Sequence, residues 1–558
     1  MHTSSLKLSI PLLLFASLVY AATVKVGNTT IVGKDITTQG LEFFGGIPFA
    51  EPPIGNLRLK PPVLKPFLDT STYNAKSFGA SCLQVPIPGG PDLSNITLSE
   101  DCLSINIIRP AGIETNTTLF PIMVYIYGGG FIVNGEPNLN ASTIVARSVT
   151  RGTPVVYVSF NYRLGPLGFP AGVEAAAKGA LNLGLKDQLA ALQWIQSNIA
   201  AFGGDKEKVT VFGISAGSIS ISTLFLNSHL EQYARAAILG SGIAGTPFTF
   251  NSTRRQADWD NFVAAVPECE CTEQDNAFDC LRGDHINSTH LLQAIGVSLA
   301  ETTEAFPWVP TLDGPDGLFP ELPSEMLKKG RYSKIPFIAG NCLDEGTIFT
   351  PTTITDERDL RNILIANYTV FPGRTSPNLD DAVSTILKLY PDIPALGSPY
   401  NTGNETFGLS TTYERSSAIY NDVAFQFPRR SWTRVFAQAG VKTYGYEFSY
   451  PELITPVYGV AHGSDESYVF GFANQPSTFV PSPAAKRFSE QVIDYWVSFA
   501  TSLDPNDGLG SERLMWPQYT VEDPILLQLN GSNTGPLADT FREEQFEFVD
   551  SSAVIFRH

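Results

Sequence analysis

Charged residues are scarce in this chain, and basic residues are scarcer than acidic ones. Among 558 residues, 16% are charged and 43% are hydrophobic, which argues against disorder and predicts a large packed core. The 37 basic and 55 acidic side chains leave a formal net charge of −18. Because binding to phosphate groups requires clustered Lys and Arg, nucleic acid is not an expected partner.

Cysteine is also sparse. Six cysteines are too few for a disulfide scaffold and too irregularly spaced for a zinc site. We expect two local disulfides, one between Cys82 and Cys102 and one between Cys280 and either Cys269 or Cys271. Neither a metal nor another cofactor is predicted.

Long apolar runs are missing beyond the N-terminus. Residues 8–18 are apolar and follow Lys7, and Val19-Tyr20-Ala21 offers a small-residue cleavage pattern. A membrane span needs roughly 18 or more apolar residues, so residues 1–21 are predicted to be a signal peptide and no integral membrane segment is expected. The chain is thus predicted to be secreted and extracellular.

An exported chain can carry N-linked glycans, and this one is predicted to be a glycoprotein. Nine Asn-x-Ser/Thr acceptor sites occur in the sequence, at Asn28, Asn95, Asn116, Asn140, Asn251, Asn287, Asn367, Asn404 and Asn530.

Apolar β-branched runs alternate with helix-like segments along the chain. The predicted strands are PIMVYIY (121–127), TPVVYVSF (153–160), KVTVFG (208–213) and IPFIAGN (335–341), and the clearest helical segment is residues 183–202. Continuous apolar strands separated by helices indicate a mostly parallel sheet that is buried on both faces. The predicted fold class is therefore α/β.

The stretch VTVFGISAGS (209–218) places Ser215 between two glycines in the turn from a strand to a helix. The Gly-x-Ser-x-Gly pattern in this context is typical of a nucleophile elbow, in which a strained turn lifts the serine hydroxyl above the sheet. The alternative is a structural glycine-rich turn. A catalytic serine also needs a base and an acid, and in elbow hydrolases both follow it in the chain.

One of the six histidines fits the position of the base. The histidines are His2, His229, His285, His290, His462 and His558. Elimination favours His462, which lies late in the chain on a glycine-flanked loop, YGVAHGSDESYVFG. For the acid, the loop after the strand at 335–341 offers Asp344 and Glu345, and their spacing does not choose between them.

A developing oxyanion needs hydrogen-bond donors that are already in place. In VYIYGGGF (124–131), three glycines directly follow a predicted strand, where backbone N–H groups can approach a substrate without hindrance from side chains. An oxyanion loop fits this pattern better than a merely flexible turn.

These motifs resemble those of the type-B carboxylesterase/lipase family, α/β-hydrolases that include cholinesterases and certain fungal lipases. The resemblance runs from about residue 24 to the end of the chain. It is carried by FGGDKEKVTVFGISAG (202–217), SEDCLSINIIRP (99–110), GIPFAEPPIGNLRL (46–59) and NYRLGPLGF (161–169). It implies an α/β-hydrolase fold, with residues 22–558 forming a single domain around a large, mostly parallel sheet with helices on both faces.

The resemblance also implies roles for individual residues. Ser215 is the nucleophile, Glu345 the acid and His462 the base, and the oxyanion donors are the N–H groups of Gly129, Gly130 and Ala216. Disulfides are implied for Cys82 with Cys102 and for Cys269 with Cys280. Two ion pairs, Arg163 with Asp187 and Arg58 with Glu100, are implied to be structural.

Two departures from the family pattern concern the substrate. Ile214 stands where relatives usually have a glutamate, which makes the pocket more apolar and a cationic substrate less expected. The segment between Cys82 and Cys102 has 19 residues, which is short for the lid of a fungal lipase. We therefore predict an esterase for small-molecule or lipid esters with apolar acyl groups, which makes at most transient contact with a lipid interface.

Two alternatives remain. The first is a triacylglycerol lipase or sterol esterase with a preference for long acyl chains. The more remote one is a non-catalytic adhesion or binding protein of the cholinesterase type.

Overall fold

The computed structural model describes residues 22–558, except 89, 114–117, 136–139, 228, 271, 273–275, 305, 371–376, 451–455 and 475–478. The predicted signal peptide at 1–21, the acceptor Asn116 and the alternative disulfide partner Cys271 therefore lie outside the described residues.

The strands of the described chain form one large sheet and one small one. The strands are β1 (Thr23–Val26), β2 (Thr29–Val32), β3 (Lys34–Ile36), β4 (Leu41–Pro48), β5 (Thr72–Asn74), β6 (Ser104–Pro110), β7 (Phe120–Ile126), β8 (Val156–Phe160), β9 (Gly204–Ile214), β10 (Ala236–Gly240), β11 (Phe337–Cys342), β12 (Thr443–Phe448), β13 (Ile525–Leu529) and β14 (Gly535–Ala538).

Helices pack around the large sheet. They are α1 (Ser142–Thr150), α2 (Gly165–Gly168), α3 (Gly172–Ala177), α4 (Leu183–Asn198), α5 (Ala216–Phe225), α6 (Gln256–Ala264), α7 (Ala277–Leu281), α8 (Ser288–Glu301), α9 (Pro323–Lys328), α10 (Glu357–Tyr368), α11 (Leu379–Leu389), α12 (Thr411–Tyr420), α13 (Phe427–Gln438), α14 (Glu466–Val469), α15 (Pro483–Ser502) and α16 (Glu543–Ser551). A π-helix, Asn421–Gln426, joins α12 to α13.

The large sheet has 11 strands in the order β14-β13-β12-β11-β10-β9-β7-β8-β6-β4-β3. The strands from β13 to β8 in that order run parallel. The pairings outside this block are antiparallel. Strand β9, which leads to Ser215, lies in the middle of the order and is buried over its last six residues. The predicted α/β class with a mostly parallel sheet is confirmed.

Buried hydrophobic side chains form two separate clusters. The larger one surrounds the sheet and includes side chains from β4 to β13. The smaller one joins α10, α11 and α12 to α13, α16 and the chain after α16. Because parallel strands end at a common edge, the loops after β7, β9 and β11 meet on one side of the larger core.

The disulfides and ion pairs tie loops to this framework. Disulfide bonds join Cys82 to Cys102 and Cys269 to Cys280. Arg163 forms a buried bidentate ion pair with Asp187, and Arg58 forms one with Glu100. In the described part of the chain, no helix combines the length and apolar character that crossing a bilayer requires.

Candidate active site

Ser215 occupies the tight turn between β9 and α5. Its backbone has φ 57° and ψ −129°, a strained conformation for a residue with a side chain. The amide of Ser215 donates to the carbonyl of Gly240 on β10 at 2.9 Å, and its carbonyl accepts from Ile219 in the first turn of α5. Neighbouring elements therefore hold the strained turn in place.

Gly217 lets α5 start directly against β7. A Cβ atom at this position would lie 1.9 Å from the carbonyl oxygen of Ile126, closer than real atoms approach. Any side chain at 217 would push the helix away from the sheet and move Ser215 with it. The glycine in the sequence motif is thus required by packing at this turn.

The glycine loop after β7 faces the same site. Gly129 and Gly130 have φ values of 103° and 61°, in the region that favours glycine. A Cβ at Gly130 would lie 2.3 Å from the ring of Phe306. No acceptor among the described residues takes a hydrogen bond from the N–H groups of Gly129, Gly130 or Ala216. These three donors are therefore free to bind a ligand oxygen.

His462 and Glu345 meet at the end of the sheet, far apart in sequence. Nδ1 of His462 lies 2.5 Å from Oε2 of Glu345, a charge-assisted hydrogen bond. The Glu345 side chain is fully buried and that of His462 is 10% exposed. Nε2 of His462 is buried and has no hydrogen-bond partner among the described residues.

The other oxygen of Glu345 and its backbone are fixed by separate elements. Oε1 accepts from the amide of Cys342 at the end of β11, at 2.6 Å. The amide of Glu345 donates to Oδ1 of Asn421, the first residue of the π-helix, at 2.8 Å. Gln426, the last residue of that π-helix, donates to the carbonyl of Cys342 at 3.0 Å. The π-helix thus holds the loop that carries Glu345. Such irregular turns often occur at functional sites.

Asp344 makes different contacts from its neighbour. Its carboxylate accepts from the hydroxyl of Ser398 and the amide of Tyr400, both at 2.8 Å, and from the amide of Val460 at 2.9 Å. Burial raises the pKa of Asp344 to about 6. Its role is to tie the segment preceding His462 to the end of β11.

The remaining described histidines lie elsewhere. His229 and His290 contact Glu231 and Glu268, and the imidazole of His558 contacts the carbonyl of Gly245. Neither His285 nor these three lines the cavity described next.

Ser215 and His462 line one cavity of about 310 Å³. Part of its lining comes from the loop after β7 and the start of α5, which we call the sheet edge, through Gly130, Ala216 and Ile219. Another part comes from α10, α12 and the π-helix, which we call the helical wall, through Ile363, Ala366, Asn367, Ser416, Tyr420 and Phe425.

Aromatic rings surround the imidazole of His462. The rings of Phe349 and Phe425 are stacked at 5.6 Å and lie 5.0 and 5.1 Å from the His462 ring. Three aromatic-rich stretches, 246–250, 305–310 and 422–430, were candidates for the pocket lining, and each contributes residues to it. Other members of these stretches, such as Trp308, belong to the core. Phe349 and the residues of α10 were missed, because their contact with the cavity depends on distant packing.

A further buried carboxyl lies near Glu345 and His462. Asp465 is 1% exposed and accepts a hydrogen bond from the hydroxyl of Tyr446 at 2.7 Å. Burial raises the pKa of Asp465 to about 6, and Glu345 and His462 both lie near enough to act on it electrostatically. The chain therefore keeps a buried acid here although Ile214 occupies the position before the nucleophile. In the sequence this acid belongs to the acidic pair of HGSDE (462–466), and no local pattern marks it as buried.

Comparison with known proteins identifies the family. The carboxylesterase family profile matches residues 20–549. The chain is 32% identical to Lipase 1 of Geotrichum candidum over 95% of each chain. It is 34% identical to Secreted lipase 1 of Botryotinia fuckeliana over 95% of this chain and 92% of that one. Lipase 4 of Diutina rugosa is 33% identical over 97% and 98%.

A solved structure shows the same fold. EstA of Aspergillus niger superposes with a TM-score of 0.81 at 24% identity, covering 96% of this chain and 99% of that chain. With a family profile that spans most of the chain and relatives above 30% identity that cover more than nine-tenths of it, the chain belongs to the carboxylesterase family, hydrolases that act on carboxylic ester bonds.

Proposed function

We propose that this protein is a secreted serine hydrolase that cleaves carboxylic esters with apolar acyl groups through Ser215, His462 and Glu345. The observation that carries the proposal is the 2.5 Å contact between Nδ1 of His462 and Oε2 of Glu345 beside a cavity that Ser215 also lines. The names of two relatives describe secreted lipases, which agrees with the predicted secretion.

The hydrogen-bond pattern defines how the imidazole can act. A carboxylate only accepts hydrogen bonds, so Glu345 holds the proton of neutral His462 on Nδ1. Nε2 then carries a lone pair, and no described residue occupies it. In this tautomer His462 is ready to take the hydroxyl proton of Ser215.

The reaction proceeds in two steps. Oγ of Ser215 attacks the ester carbonyl while its proton moves to Nε2 of His462. The bond to the alcohol then breaks, and Nε2 returns the proton to the leaving oxygen, which gives an acyl-enzyme on Ser215. Water enters, loses a proton to His462 and releases the acid by the same sequence.

The amides of Gly129, Gly130 and Ala216 support the negative oxygen formed in each step. Since they have no other acceptor among the described residues, no existing hydrogen bond is broken when they bind it. One donor of this kind contributes about 3 kcal/mol to transition-state stabilisation in related chemistry. Ala216 is the first residue of α5, where the helix dipole also favours negative charge.

The cavity supports an apolar acyl group. Phe349, Phe425 and Ile219 line the space next to His462 and Ser215, and Phe306 and Val309 extend it. The described residues of the short segment between Cys82 and Cys102 do not line this cavity. A lipase with long-chain preference is the second candidate, because several relatives are named lipases.

The test is a series of p-nitrophenyl esters from acetyl to palmitoyl, measured with and without detergent micelles for wild type and Ser215→Ala. We expect the variant to lose on the order of 10⁶ in kcat on every ester. Short-chain preference without micelles identifies an esterase, whereas activity on long chains only in micelles identifies the lipase. Equal rates for wild type and variant would overturn the catalytic proposal and favour a binding protein.

A further inference from the structure

Asn367 is an N-glycosylation acceptor that also lines the catalytic cavity. It begins the triplet Asn-Tyr-Thr, residues 367–369, at the C-terminal end of α10. Ile363, Ala366 and Asn367 are spaced i, i+3 and i+4, so they share one helix face, and all three line the cavity. The acceptor is thus part of the helical wall.

This face lies at the mouth of the cavity. The side chain of Ala366 is exposed and that of Asn367 is half-buried, although both line the cavity. Glu345, which contacts Nδ1 of His462 and does not line the cavity, is fully buried. A group attached to Asn367 can therefore extend into solvent and still stand beside the entrance.

The position of the acceptor is fixed by contacts on both sides. Arg254 donates from Nε to the carbonyl of Thr369 at 3.0 Å and from Nη2 to that of Ala366 at 3.4 Å. Tyr368 is buried, and its ring lies 4.8 Å from the ring of Phe248, which also lines the cavity. These contacts therefore fix the position of Asn367 in the cavity lining.

The other described acceptors are placed differently. None of them lines this cavity: Asn28, Asn95, Asn140, Asn251, Asn287, Asn404 and Asn530. Asn404 is exposed and serves below as the matched control.

We propose that Asn367 carries an N-linked glycan that narrows the mouth of the catalytic cavity and keeps it from lying flat on a lipid surface. During secretion, Nδ2 of Asn367 attacks the first sugar of a lipid-linked oligosaccharyl pyrophosphate and displaces the lipid pyrophosphate. The C–N bond forms, the sugar–phosphate bond breaks, and Nδ2 loses a proton. A sugar chain is bulky and strongly hydrated, so it favours esters that arrive from water over those held in a micelle.

The attachment is tested by mass spectrometry on the full chain secreted from a yeast host. Trypsin releases residues 362–374, in which Asn367 is the only acceptor. We expect this peptide to carry a glycan in wild type and in Thr369→Ser, which keeps the acceptor triplet, and none in Asn367→Gln. An unmodified peptide in wild type overturns the proposal whatever the enzyme's activity.

The consequence rests on the proposed function and is tested by kinetics. We expect Asn367→Gln, and wild type trimmed by an endoglycosidase, to show at least a threefold higher ratio of the palmitoyl-ester rate in micelles to the acetyl-ester rate in solution. Thr369→Ser and Asn404→Gln should keep the wild-type ratio. An unchanged ratio in both trimmed and substituted protein overturns the role at the mouth. A wild type that is no faster than Ser215→Ala instead removes the proposed function and leaves the attachment result standing.

Discussion

The sheet edge and the helical wall both line the cavity that holds Ser215 and His462, yet they are built differently. At the sheet edge, backbone geometry sets the site, through the strained turn at Ser215 and the close approach of Gly217 to β7. At the helical wall, side chains set the site, and the helices that carry them belong to the separate smaller core. Under the proposed function, this difference predicts that reaction chemistry and substrate selection reside in separately packed parts of the molecule.

The proposed roles of the sheet edge and of the helical wall can therefore be tested separately. Changes at the sheet edge should lower the rate of hydrolysis of every ester by a similar factor, because they alter the groups proposed to react. Changes at the helical wall should alter the ratio between esters, because they alter the space for the acyl chain.

The largest effect is expected on the reaction chemistry, from Glu345→Gln. An amide has only one accepting oxygen, and the backbone N–H of Cys342 already donates to one side of this group, so the NH2 of the substituted glutamine faces Nδ1 of His462. A donor at this position favours the tautomer that carries its proton on Nε2, which cannot act as the base. We expect kcat to fall by on the order of 10³ to 10⁴ for acetyl and palmitoyl esters alike. Steady-state kinetics on both esters measure this fall in kcat.

Asp344→Asn is the matched control, since it makes the same chemical change one residue away. Asp344 holds Ser398, Tyr400 and Val460 rather than His462. We expect a loss of less than tenfold in kcat, with a free energy of unfolding lower by about 1–3 kcal/mol from the unmatched hydrogen bond. If Asp344→Asn slowed the enzyme as much as Glu345→Gln, the assignment of the acid would fail.

A stability effect is expected from Asp465→Asn, near Glu345 and His462. Burial raises the pKa of Asp465 from 3.8 to about 6, so the folded state binds the proton more tightly than the unfolded state. The contribution of Asp465 to the free energy of unfolding is therefore lost as pH rises from about 4 through 6. The difference between the folded and unfolded pKa of Asp465 corresponds to up to about 3 kcal/mol in the free energy of unfolding.

Urea unfolding at pH 4 and pH 8 measures this effect. The free energy of unfolding of Asp465→Asn, relative to wild type, should rise by up to about 3 kcal/mol from the lower to the higher pH. The same change at the exposed Asp284 should leave the difference flat. A pH-independent difference for Asp465→Asn would show that burial does not control this carboxyl.

The smallest effect is expected at the helical wall, from Ile363→Trp. The larger side chain narrows the cavity near its mouth and reduces the space for a long acyl chain. We expect kcat/KM for the palmitoyl ester to fall about tenfold, equal to about 1.4 kcal/mol, and that for the acetyl ester to change less than twofold.

Ile363→Val serves as the control and should leave kcat/KM unchanged for both esters. If Ile363→Trp lowered kcat/KM equally for both esters, the proposed division of roles between the sheet edge and the helical wall would be wrong.

The elbow and the alternation of strands with helices could be predicted because their signals are local. A serine between glycines after a β-branched run and a glycine triplet after another strand are patterns of neighbouring residues. Strand β9 and helix α5 then lie where the sequence places them, apart from end residues. Backbone conformation at such turns is governed by short-range sterics, which the sequence shows directly.

The contacts that only the tertiary structure decided involve residues far apart in the chain. Asp344 and Glu345 are neighbours with similar chemistry, and their different partners follow from how the π-helix and the segment at Val460 pack against β11. The position of Asn367 at the cavity mouth depends on Arg254, more than 100 residues away. The sequence by itself determined the nucleophile turn, the strand-helix alternation and the candidates for base and acid. Long-range packing decided which side chains line the cavity, because that choice depends on the whole set of helix contacts and leaves no local pattern.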